Sequence, residues 1–227
     1  MLPSKQGLYD PQFEHDNCGA GFICSLQGKK TNDIIHKALD ILDCLEHRGA
    51  VSADGKTGDG AGILIEIPHD FLKKQCDFDL PKLHEYAVGM VFLPKKENQR
   101  TYCLGVLESE IKNQGLEVLG WRNVPVNHGV VGNIAALTEP HIMQVFVGRG
   151  SNELSDYNFN IKLYCARKIA EHTISVSKLS QSSYFYLPSF STHTLIYKGL
   201  LTPEDIKGFY NDLEDPAVVT RLALVHQ

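Results

Sequence analysis

His15-Asp16-Asn17-Cys18-Gly19-Ala20-Gly21-Phe22-Ile23 places a cysteine between a polar leader and a run of small and apolar residues. Cleavage of the Asn17–Cys18 bond turns Cys18 into a first residue that carries a thiol and a free α-amine on one skeleton. An α-amine has a reference pKa of about 8, so it can serve as the base for its own side-chain nucleophile. Pairing a weak nucleophile with an N-terminal amine is a known route to its activation. The alternative reading of Cys18 is a buried structural thiol, the ordinary fate of a lone cysteine.

Working outward, residues 1–17 are polar, with Pro3, Pro11 and several charges. They lack the apolar core of a secretory signal and are too acidic for a typical transit peptide. GAGFICSL (19–26) reads as a strand. Thr31 or Asn32 is placed to cap a helix over 33–47, whose apolar residues Ile34, Ile35, Ala38, Leu39, Leu42 and Leu45 follow the helical spacing. Gly49 suits the position just past its end. A glycine-rich loop, SADGKTGDGAG (52–62), leads into a strand over 63–67 that Pro68 stops.

Further strands are expected at 86–93, 116–121 and 141–147, with helices from about Asn98 and over 158–177. Two strand-like runs, 183–187 and 194–197, are joined through Pro188, and Thr202-Pro203-Glu204-Asp205 opens a last helix. Strands often follow one another directly, which favours α+β layers over an alternating parallel sheet. The strand-like LALVHQ (222–227) ends abruptly, and the expectation is that the natural domain continues past it.

The 227 residues, 43% hydrophobic, fit one domain with a substantial core. A net charge of −5 argues against nucleic acid and anionic membranes as partners. No apolar stretch approaches the roughly 20 residues needed to span a bilayer. The six cysteines (18, 24, 44, 76, 103 and 165) contain no CxxC pair. With no export signal, the expectation is a cytoplasmic protein with most thiols reduced and buried.

Two sharper readings fail on spacing. A phosphate cradle at Gly49–Thr57 has five residues, not four, before its GKT, and it follows a helix rather than a strand. A zinc site from His15, Asp16, Cys18 and Cys24 matches no structural zinc pattern.

Six segments together resemble the amino-terminal class II glutamine amidotransferase region of glutamate synthase large subunits. They are DNCGAGFI (16–23), LEHRGA (45–50), TGDGAGI (57–63), GWRNVPVN (120–127), THTLIYKGLL (192–201) and LALVHQ (222–227). The cysteine-glycine start and the HRG turn are general to the class, whereas TGDGAG and GWRNVPV narrow the resemblance to glutamate synthase.

The resemblance implies a four-layer αββα sandwich of the N-terminal-nucleophile hydrolase type, incomplete at its C-terminus. It implies a propeptide at 1–17 and the amidotransferase portion at 18–227. Cys18 carries over as nucleophile and base. Arg48 carries over as a support of the glutamine pocket, beside the plainer reading of a cation favoured by a helix C-terminus.

The implied partners are L-glutamine, downstream synthase domains of the same polypeptide and a small electron-donating subunit. FMN and an iron–sulfur cluster are expected in those downstream regions, with no cofactor or metal in this chain. The family's oxyanion-hole Asn-Gly pair and its substrate-clamping arginine and aspartate map beyond Gln227, and the 227 residues contain no Asn-Gly dipeptide. A catalytically silent fragment with an interaction role, and a different class II amidotransferase, are the alternatives.

Overall fold

The computed structural model describes residues 5–7, 10, 19–150 and 154–227. Asn17, Cys18 and most of the leader lie outside the described residues, as do three of the four members of the rejected zinc cluster.

Among the described residues eight strands form two four-stranded sheets. The first contains β1 (Ala20–Cys24), β8 (Leu222–His226), β2 (Ala61–Glu66) and β7 (Thr194–Gly199), in that order across the sheet. The second runs β4 (Glu117–Asn123), β5 (His141–Gly148), β3 (Tyr86–Leu93), β6 (Tyr186–Ser191). Every ladder is antiparallel, in line with the α+β expectation.

Alternation along the strands builds two cores. Ile63, Ile65, Leu195, Tyr197, Ala223 and Val225 share one face of the first sheet. They are buried with Ile35, Ala38 and Leu42 of α1 (Asp33–Cys44) and Ile206 and Phe209 of α6 (Pro203–Phe209). The same core takes in the even positions Tyr86, Val88 and Met90 of β3 and Phe146 of β5. The odd positions Ala87, Val91, Val145 and Val147 bury into the second core. There they meet Cys103, Leu107 and Ile111 of α3 (Glu97–Asn113) and Phe159, Leu163, Ala166 and Ala170 of α5 (Asp156–Ser175). The result is an α+β sandwich of two antiparallel sheets with helices packed on them, in line with the expected N-terminal-nucleophile hydrolase class.

GWRNVPVN has a structural job at the seam between the sheets. Arg122 on β4 is buried and donates to both carboxylate oxygens of Asp212, at 2.8 and 2.7 Å, and to Gln144 Oε1 at 2.9 Å. Tyr197 of the first sheet donates to the same carboxylate at 3.0 Å, and Arg122 lies over the Phe71 ring. Farther along the motif, Asn127 N donates to Phe209 O at 2.9 Å, fastening the segment to the end of α6.

Several local expectations are corrected. The first helix ends at Cys44, and a 3₁₀ turn over Glu46–Arg48 follows it. Gly49 has φ −98°, so it is no left-handed cap. Asn32 does stand at the N-cap but makes no side-chain cap bond. Its amide instead donates to the carbonyls of Asp215 and Val218, a long-range demand that outcompetes the local one.

Pro188 lies inside β6, not between strands. β6 is an edge strand and its pairing with β3 shifts register around that residue, the setting in which a missing N–H is tolerated. Residues 183–184 of the expected strand belong to a 3₁₀ turn. Two short helices carry no sequence period long enough to read: α2 (His69–Gln75) and α4 (Asn133–Thr138).

The five described cysteines are free, but only Cys103 is fully buried. Cys24 sits on the outward face of β1 and Cys44 at a helix end, so both are exposed, against the expectation of buried thiols. Desolvation pushes the Cys103 thiol up to about 11. Among the described residues no helix is long and apolar enough to cross a membrane.

Candidate active site

The chain following Cys18 is held from its first described residue. Gly19 N donates to Gln227 O at 2.9 Å and Gln227 N donates to Gly19 O at 2.8 Å, extending the β1–β8 ladder. Gly19 is buried, and a Cβ there would stand 3.2 Å from Arg48 Cγ and from Leu45. The stem of Arg48 therefore packs beside the residue that follows the predicted nucleophile. Arg48 itself is exposed, at the end of the 3₁₀ turn.

A cleft of about 900 Å³ opens at this point. Its floor is the outward face of the first sheet. The register puts Gly62 opposite Lys198 and His226, and Leu64 opposite Ile196 and Leu224, so these six residues share that face. Phe92 of β3 and Tyr186 of β6 stand across from it. Lys198 Nζ lies 4.7 Å from the Tyr186 ring centroid and donates to its hydroxyl at 3.3 Å. One end is closed by His47, Arg48, Gly49, Asp59, Gly60 and Gln227.

The glycine-rich loop reaches this end by folding back on itself. Val51 bridges Gly58, Ser52 N donates to Thr57 O at 2.8 Å, and Asp59 N donates to Ala50 O at 3.1 Å. The return is made at Gly55, φ +68°, a left-handed turn position that suits glycine. Gly58 has no room for a side chain, since a Cβ would sit 2.2 Å from Leu201 O. Asp54 accepts hydrogen bonds from the Thr57 hydroxyl and from the backbone N–H groups of Ile134, Thr57 and Lys56. Those donors hold its carboxyl well below the usual carboxylate range. The loop thus anchors the start of α4 through Asp54 and presents Asp59 and Gly60 to the cleft.

Of the two residues expected at the site, Arg48 lines the cleft wall, and Cys18 lies outside the described residues. Asp59, Lys198, His226 and Gln227 also line the cleft, with no spacing signal to single them out. All four do fall in quoted segments, Asp59 in TGDGAGI, Lys198 in THTLIYKGLL, and His226 and Gln227 in LALVHQ. Among the described residues no group of three His, Cys, Asp or Glu side chains is placed to hold a metal ion.

The sequence profile of the glutamine amidotransferases class-II family matches residues 18–227, so the match begins on the cysteine itself. The chain belongs to the class II glutamine amidotransferases. It is 45% identical over 227 residues to the glutamate synthase [NADPH] large chain of Bacillus subtilis, matching 100% of this chain and 15% of that protein. It is 39% identical over 238 residues to glutamate synthase [NADH] of Saccharomyces cerevisiae, again matching 100% of this chain and 11% of the relative. A ferredoxin-dependent glutamate synthase of Arabidopsis thaliana is 37% identical over 231 residues, matching 100% of this chain and 14% of the relative. The amidotransferase chain thus spans about one seventh of the length of such relatives or less.

Proposed function

We propose that this chain is the glutamine-hydrolysing part of a glutamate synthase, working through Cys18 as an N-terminal nucleophile. The observation that carries the reading is the family match that starts at Cys18. It is supported by the anchoring of Gly19 against Gln227 and Arg48 at the mouth of an open cleft.

In this reading removal of residues 1–17 frees the α-amine of Cys18. The thiol attacks the side-chain amide carbon of glutamine. The amine takes the thiol proton through a water and returns it to the departing ammonia. A second water then hydrolyses the γ-glutamyl thioester to glutamate and restores the thiol. Arg48, held by its stem against Gly19, keeps a fixed positive charge at the pocket wall and supports the bound substrate. The ammonia feeds reductive amination of 2-oxoglutarate in downstream regions of a longer polypeptide. Those regions carry FMN and an iron–sulfur cluster, and the setting is cytoplasmic.

In the full-length polypeptide, Cys18→Ala is expected to lower glutaminase turnover by at least about 10³-fold, as loss of a nucleophile does elsewhere. N-terminal mass analysis of the active protein should find Cys18 as the first residue. In this reading the oxyanion donors, each worth about 2.7–4 kcal/mol in other acyl-transfer enzymes, are supplied from outside residues 1–227, which alone should turn over glutamine very slowly. Full ammonia release by the alanine variant, or by a protein still carrying Met1, would overturn the proposal.

A further inference from the structure

The short helix α4 is held from outside at both ends. Its six residues are well below the length at which a helix is stable by itself, and its N-cap, Gly132, has no side chain to cap it. Two residues of the glycine-rich loop take that role. Asp54 Oδ2 accepts from Ile134 N at 3.0 Å, and Thr57 Oγ1 accepts from Ala135 N at 3.1 Å. The Thr57 hydroxyl in turn donates to Asp54 Oδ2 at 2.6 Å. Gly132 permits this approach because it lacks a Cβ, which would lie 2.4 Å from Thr57 Oγ1 and 2.9 Å from Asp54 Oδ2. At the other end Lys95 Nζ donates to Ala136 O at 2.8 Å, and the Tyr184 hydroxyl donates to Leu137 O at 3.1 Å. Lys95 follows β3 and Tyr184 precedes β6, so α4 is a strut between the second sheet and the loop.

The loop it meets is a narrow hairpin, closed by the Val51–Gly58 bridge. Its base lines the cleft, with Arg48, Gly49 and Ala50 on one side and Asp59 and Gly60 on the other. Its tip, with Ser52, Ala53, Gly55 and Lys56, is exposed. An isolated two-stranded hairpin is marginally stable at best, so the contacts at the strut decide where its base stands. We infer that Asp54 is a positioning residue for the cleft wall: with Thr57 it latches the hairpin onto α4 and so sets the position of Arg48 and Asp59. The inference rests on the glutaminase reading above, in which Arg48 supports bound glutamine. Asp54 and Thr57 stand behind the wall, outside the cleft lining, and act through the residues at the hairpin base.

Three variants of the full-length polypeptide test the assignment: Asp54→Ala, Thr57→Val and Thr57→Ser. Asp54→Ala removes the acceptor, and Thr57→Val keeps the volume but drops the hydroxyl. Each should raise KM for glutamine about tenfold while kcat changes by less than about threefold, because the loss falls on substrate binding by the wall. Thr57→Ser restores the hydroxyl and should return KM to near its original value. Both side chains belong to one latch, so Asp54→Ala and Thr57→Val combined should raise KM little more than either alone. Trypsin cleavage after Lys56 gives a readout independent of activity, since Thr57 N is tied to Asp54 Oδ1 at 2.8 Å. Both latch-breaking variants should be cut there about tenfold faster than the unaltered protein.

A role in stability alone lowers the folded fraction, and with it kcat, but leaves KM in place. An unmoved KM in either Asp54→Ala or Thr57→Val therefore overturns the inference, as does unchanged cleavage after Lys56. KM increases that multiply in the double variant overturn it too. Should a latch-breaking variant fail to fold, Asp54→Asn, which keeps the volume and turns one acceptor into a donor, decides on the same terms. If the unaltered polypeptide releases no ammonia from glutamine, the glutaminase reading itself fails. Normal activity with an unmoved KM in the variants sinks this inference alone.

Discussion

The two sheets are joined by the short Thr192-His193 link between β6 and β7, yet they are finished in different ways. The second sheet is buried on both faces, one against α3 and α5 and the other in the core shared with α1. The first is buried on one face only. Its other face carries Phe22 and Leu224, 59% and 42% exposed, together with Leu64 and Ile196. Apolar residues left open on a sheet face, beside a cation and a glycine-rich loop, are the lining expected of a ligand pocket. One sheet supplies stability and the other supplies a wall.

The seam between the sheets gives the sharpest test of that division. Asp212→Ala leaves the buried Arg122 guanidinium without its carboxylate and Tyr197 without its acceptor. Losing one partner of a buried pair costs about 3–5 kcal/mol, and the urea midpoint should fall accordingly. A loss under about 1 kcal/mol would mean that the sheets are not held together at this point.

Matched truncations compare the faces themselves. Phe146→Ala, at a fully buried position of β5, should cost about 3–5 kcal/mol. Phe22→Ala, on the open face, should change stability by no more than about 0.5 kcal/mol. Equal costs measured by denaturant unfolding would erase the distinction drawn between the sheets.

The smallest effect concerns the edge of the first sheet. Burial pushes the Glu66 carboxyl up, but bonds from Arg221 N, Nε and Nη2 outweigh it and leave the group below its ordinary value. A lowered folded-state pKa contributes stability above the unfolded carboxylate range near pH 4.3. That contribution is lost as pH falls from there through the folded value. Arg221 is half-exposed, so solvent screening holds the effect to about 1 kcal/mol or less. Glu66→Gln should flatten the acid limb of stability between about pH 5 and 3, as followed by urea midpoints.

Long elements with a clear period were legible from residues alone. The strand over 86–93 matches the observed β3, and the apolar stripe of α1 is the face that is buried. What escaped was set by distant partners. Asn32 looked like a cap because its local neighbours suit one, yet its amide serves carbonyls more than 180 positions away. Gly49 looked like a helix stop, but the space it leaves is filled by Gln227.

The site divides similarly. Cys18 and Arg48 stood out by motif, whereas Lys198, His226 and Gln227 join the cleft only because strand register brings them beside Gly62 and Gly19. A single chain carries no local trace of such pairing. SADGKTGDGAG (52–62) did signal tight turning, and Gly55 and Gly58 each give it a separate physical reason.

The ladder that secures β1 is made by Gly19 onward, with Gly19 locked to Gln227 and Ser25 N donating to Arg221 O at 2.7 Å at the other end. Under the proposed processing, scission of the Asn17–Cys18 bond breaks none of these ties. A new chain end made there would fall at an already finished sheet margin, and the chemistry proposed for it would demand no refolding.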